Sequence, residues 1–168
     1  MQFLARFLLV ALSGVALATP VAPVAGQRAD DQILPKSVEL QRQARESVAA
    51  GKLEQAEDQL ETALAVDPRN RGAFVDIARV AVKQHLYGKA IRMTNKALIL
   101  EPNDPDALAV QGEAMVDMGA TARAQANLQK LQAICGAKSC PQVAQLTAAI
   151  TRGPTVAAAQ VPPSPKTN

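Results

Sequence analysis

The sequence predicts an all-α solenoid built from stacked helix pairs, and two observations carry that expectation. Ala56, Ala90 and Ala124 lie 34 residues apart, and Pro68 and Pro102 are separated by the same interval. A period of about 34 residues is that of a helix–turn–helix unit that buries its apolar stripe only against its neighbours. Within each period the apolar positions recur at helical spacing: Ala56, Leu60, Ala63 and Leu64 in one, Ala90, Ile91, Ala97 and Leu98 in the next.

If Pro68 and Pro102 close successive units, the units run 37–70, 71–104 and 105–136. Equivalent positions then form columns: Leu40, Phe74 and Leu108; Ala44, Ala78 and Gly112; Ala56, Ala90 and Ala124; Ala63, Ala97 and Leu131. Small residues in such columns let helices approach to the short end of the usual ~8–10 Å. Gly51 and Gly119 stand where the first helix of a unit turns into the second, a place for left-handed backbone. His85 holds that place in the second unit. Pro68 and Pro102 end the second helices, and Asn70 and Asn103 offer cap chemistry to the next ones. After the third unit, Pro141 suits the first position of a final helix over 140–151, with Val143, Leu146 and Ile150 along one face. A terminal element of this kind covers the last apolar surface of a repeat array.

These columns resemble the tetratricopeptide repeat. "GKLEQAEDQLETALAVDPRN" and "YGKAIRMTNKALILEPND" match that family closely, while "DALAVQGEAMVDMGATARAQANLQKL" departs from it and ends on Gly136 in place of proline. The resemblance covers about 100 of the 168 residues. It implies a right-handed α-solenoid of about three helix pairs plus a C-terminal capping helix, with the first helix of each pair lining a concave face. The positions that point into the groove of that family fall here on Val38, Gln41, Arg45, Val48 and Ala49, then on Gly72, Val75, Arg79, Val82 and Lys83, then on Asp106, Ala109, Glu113, Val116 and Asp117. Transferred in this way, Val48, Val82 and Val116 form an apolar stripe. Arg45, Arg79 and Lys83 make one end of the groove basic, and Glu113 and Asp117 make the other acidic. Such a face suits an extended segment or helix that carries an apolar strip and carboxylates. The plain alternative is that the valines tile the inside of a superhelix and the charges keep it in solution. The lysine and asparagine pattern by which some family members clamp a chain's terminal carboxylate is missing.

The ends read differently. Arg6 followed by the apolar run "FLLVALSGVALA", residues 7–18, reads as a secretory signal, with cleavage before Thr19 expected and cleavage after Gly26 or an uncleaved anchor as alternatives. Residues 19–36 read as a leader, and the proline-rich stretch 152–168 as a disordered tail. The expected compartment is the periplasm or the exterior of a Gram-negative cell, with no stable membrane insertion after cleavage.

In that compartment Cys135 and Cys140, the only cysteines, are expected to form a disulfide that fixes the cap on the array. Free buried thiols and a redox-active pair are the alternatives, although the spacing is not C-x-x-C. No nucleophile elbow, metal-binding motif or phosphate loop occurs, and His85, the single histidine, reads as a solvated turn residue. A net charge of +3 is too weak to imply a nucleic-acid surface. No cofactor and no metal are expected. The resemblance extends to small exported repeat proteins of Gram-negative bacteria. It implies a non-catalytic adaptor or scaffold for a protein or peptide in cell-envelope assembly or protein maturation. The alternatives are an accessory subunit that docks through its convex face or tail, and a thiol-redox helper. Three units are near the minimum for an isolated array, so a partner or self-association is expected to add stability.

Overall fold

The computed structural model describes residues 32–136 and 140–155; the expected signal segment, the leader up to residue 31 and most of the expected tail lie outside the described residues. Seven α-helices account for the regular structure among them: α1 (Pro35–Ala49), α2 (Leu53–Val66), α3 (Arg71–Lys83), α4 (Tyr87–Leu100), α5 (Pro105–Asp117), α6 (Thr121–Cys135) and α7 (Pro141–Arg152). Among the described residues, no helix is long and apolar enough to cross a membrane. The helices pack as antiparallel pairs, α1 on α2, α3 on α4 and α5 on α6, and α7 closes the array against α5 and α6. The inner helices α1, α3, α5 and α7 pack on one another in series, whereas α2, α4 and α6 pack mainly on the inner layer. This is an all-α helical repeat.

The alanine columns lie where they were expected. Ala44, Ala56, Ala63, Ala78, Ala90, Ala97 and Ala124 are fully buried. The core is a row of three clusters rather than one centre: α1, α2 and α3 around Leu60 and Ile77, α3, α4 and α5 around Val75 and Val110, and α5, α6 and α7 around Leu108, Leu131 and Leu146. Each within-pair turn needs a left-handed residue, supplied by Gly51 (φ 74°), His85 (φ 61°) and Gly119 (φ 79°). His85 is exposed, and its Nδ1 lies 2.9 Å from the Tyr87 hydroxyl.

Three boundaries differ from expectation. α1 begins at Pro35, two residues before the expected unit start, because proline fits the first turn of a helix. The cap of α5 is Asp104, not Asn103: Asp104 Oδ1 accepts from the Ala107 N–H at 2.8 Å, just as Asn70 Oδ1 accepts from Ala73 at 3.1 Å for α3. The C-terminal boundary also shifts. α7 runs through Arg152, and the Thr155 hydroxyl meets that of Tyr87 at 3.1 Å, so the first residues of the expected tail are tied to the array.

The unit junctions share one design with different atoms. At the first, Ser37 Oγ donates to the Ala63 carbonyl at 2.7 Å and accepts from Asn70 Nδ2 at 2.9 Å. One period later Arg71 stands where Ser37 stood and pairs with Asp104, which stands where Asn70 stood. Asp67 ties the chain entry to the first junction. The Arg69 guanidinium and the backbone N–H of Leu34, 2.9 Å away, lower its carboxyl to about 2. Cys135 and Cys140 form a disulfide with Cα atoms 5.9 Å apart, joining the end of α6 to the start of α7. A loop this short contributes about 2 kcal/mol on the chain-entropy estimate.

Gly112 explains why the second column ends on glycine. A Cβ there would lie 2.5 Å from Leu146 Cδ1, so α7 docks flush on the α5 backbone. Gly112→Ala is therefore expected to lower unfolding stability by about 1–3 kcal/mol in urea titration, through overpacking at a fully buried leucine. The Asp67 carboxyl is depressed below its ordinary 3.8, so its contribution is complete above that value and is lost as pH falls through about 2. Thermal melts between pH 4 and pH 2 should show this loss, and Asp67→Asn should flatten it.

Candidate functional site: the concave face

The inner helices carry a run of polar contacts centred on Asp76 of α3, whose side chain is only 7% exposed. Its Oδ2 accepts from Gln41 Nε2 and from Arg45 Nε, each at 2.7 Å, and its Oδ1 accepts from Arg79 Nη1 at 2.8 Å. Arg79 reaches on through Nη2 to Asp106 Oδ1 of α5 at 2.7 Å, and Asp106 also accepts from Gln142 of α7 at 3.1 Å. Further along, Gln145 donates to Glu113 at 3.1 Å and Arg152 to Asp117 at 3.4 Å. Burial pushes the Glu113 carboxyl up from its ordinary range, against the opposing hydrogen bond from Gln145. Gly72 makes the first of these contacts possible, since a Cβ there would fall 2.6 Å from Gln41 Nε2.

Between α1 and α3 this face opens into a pocket of about 190 Å³. Ala44, Val48 and Leu60 form its apolar floor, and Arg45, Asp76, Arg79 and Lys83 form its rim. Lys83 ends α3, is exposed, and has no carboxylate within ion-pair distance among the described residues.

The structure brings together Gln41, Arg45, Val48, Arg79 and Lys83 from the sequence-derived groove, while Val82 is half-buried against the cluster shared by α3, α4 and α5. It corrects other parts of that reading. Val75 is buried in the cluster shared by α3, α4 and α5, Val82 packs against that cluster and Val116 is fully buried, so of the valine stripe only Val48 lines the pocket. Gln41 is buried and spends its amide on Asp76 rather than on an open surface. Arg45 and Arg79 are paired by Asp76, so the face is not basic in the way the column reading implied. The third unit offers no open acidic end either. Ala109 and Asp117 are buried and Glu113 is bonded to Gln145, because α7 lies on α5 where a following first helix would lie.

Asp76 was missed in the sequence because no column contains it. The available signal was its i, i+3 spacing to Arg79 on one helix face. Among the described residues there is no group of three or more His, Cys, Asp or Glu placed to hold a metal ion.

A short helix-pair solenoid with an open pocket on its inner layer defines the class to which this chain belongs structurally. Residues 47–114 match the tetratricopeptide repeat family. No curated protein matches it. Among solved structures it is similar to the Sgt2 TPR domain from Aspergillus fumigatus, with 20% identity over 85% of this chain and 95% of that one and a TM-score of 0.66. It is similar to the type III secretion translocator chaperone SycD of Yersinia enterocolitica, with 18% identity over 70% and 87% and a TM-score of 0.61. It is also similar to the second TPR domain of human RPAP3 in complex with the HSP70 peptide SGPTIEEVD, with 18% identity over 69% and 95% and a TM-score of 0.61.

Asp76→Ala would leave the buried Gln41 amide and two guanidinium groups without their common acceptor. It is expected to lower stability by about 1–3 kcal/mol. Denaturant titration beside Asp76→Asn, which retains one acceptor oxygen, should show the larger loss in the alanine variant.

Proposed function

We propose that this chain is a non-catalytic adaptor that binds a segment of another protein on the α1–α3 part of its concave face. The observation that carries the reading is the pocket over Ala44, Val48 and Leu60, with the unpaired ammonium of Lys83 at its rim. Its apolar floor accepts one aliphatic side chain, and Lys83 accepts a carboxylate close to it in sequence. Direction along the groove comes from that charge, since Arg45 and Arg79 are committed to Asp76. Solved repeat domains of the same fold that hold acidic peptides, such as SRMEEVD on an RPAP3 repeat domain, support the mode of binding. Because α7 covers α5, the bound segment is short and spans the first two helix pairs.

The apolar stretch at 7–18 supports a periplasmic or secreted setting, and there the Cys135–Cys140 bond serves as a pin for the cap. In that setting the partner belongs to cell-envelope assembly or protein maturation.

Affinity capture from envelope extract tests the reading, with Lys83→Glu as the comparison and circular dichroism to check its fold. A captured protein should be held by the original chain and at least roughly ten-fold more weakly by the variant, since the reversed charge faces the ligand carboxylate. Equal capture by both would move the site off this face, and an empty eluate from both would overturn the adaptor reading.

A further inference from the structure

The outer layer divides its charges between helices. α2 carries Glu54, Glu57, Asp58 and Glu61 with no lysine or arginine, and α4 carries Lys89, Arg92 and Lys96 with no aspartate or glutamate. One pair is satisfied within the chain, Lys89 with Glu57. Glu54, Asp58 and Glu61 are exposed along one stripe of α2, and Arg92 is exposed on α4; none has an ion-pair partner among the described residues. Apolar groups share this surface. Ile99 is 80% exposed on the same stripe of α4 as Arg92, and Leu100 beside it is also exposed.

We propose that this face binds a second copy of the same chain, with α2 of each protomer lying on α4 of the other. The repeat itself supplies the register. Asp58 and Arg92 are one period apart, and so are Ala65 and Ile99, so each pair stands at the same height on neighbouring parallel helices. A twofold axis running along the helices, between α2 and α4, keeps height and exchanges the two helices. It sets Asp58 against Arg92 of the second copy and Ile99 against its Ala65, each contact occurring twice as an isologous interface requires. A twofold axis across the helices would set α2 on α2 and α4 on α4, like charge on like. The charge division therefore selects the first arrangement and rejects the second. This inference does not rest on the concave pocket, which lies on the opposite layer.

Sedimentation of the full chain over a concentration series tests it, together with Asp58→Arg and Arg92→Asp made separately. Both positions are exposed, so circular dichroism should show the fold retained in each variant. The original chain should form a dimer that weakens as salt rises. Each single variant places like charges opposite one another twice, and its dissociation constant should rise roughly ten-fold or more. Mixing the two variants restores opposite charges at both contacts and should restore the dimer. The proposal is overturned if the original chain stays monomeric, if the single variants associate as tightly as it does, or if the mixture stays apart.

Discussion

A helix pair buries an apolar stripe only when the two backbones come close, and in this chain closeness is supplied by residues with almost no side chain. Ala44, Ala56, Ala63, Ala78, Ala90, Ala97 and Ala124 sit fully buried at the crossings, and Gly112 does the same where α7 meets α5. Each contributes little apolar area by itself. What it permits is contact between neighbouring backbones and the few large groups between them, Leu60, Leu108, Leu131 and Leu146 among them. Dispersion and burial then accumulate along the array from one cluster to the next, which is why the core is a row rather than a centre.

Alanine crossings set distance but say little about register, since small residues slide past one another at low cost. The polar groups at the unit junctions supply what they lack. Ser37 with Asn70, and Arg71 with Asp104, occupy one geometric slot in successive units. A buried donor or acceptor left alone costs about 1–3 kcal/mol, so each junction has one favourable alignment. The same logic operates on the inner face, where Gln41, Arg45 and Arg79 converge on the buried carboxylate of Asp76. That convergence stiffens the wall of the pocket and leaves Lys83 as its free charge.

The two layers consequently offer different surfaces. The inner one is shortened by α7, which converts the third unit from groove into core and confines an open pocket to α1 and α3. The outer one displays acid on α2, base on α4 and the exposed Ile99. The proposed segment site and the proposed pairing face lie on different layers, so neither use excludes the other.

The sequence by itself determined the helices, their pairing and their period. Those depend on local chemistry and on spacing along the chain: alanine columns, left-handed positions at Gly51, His85 and Gly119, closing prolines, and Pro141 ahead of α7. It also singled out Arg45, Val48, Arg79 and Lys83, because a regular repeat carries a residue's facing from one unit to the next. Only the tertiary structure decided what those residues are free to do. Asp76 pairs with both arginines from a position outside every column, and α7 buries Val116 under a helix whose docking angle no periodicity encodes. Facing is a one-dimensional property of a repeat, whereas occupancy depends on which side chains from other helices arrive at the same place.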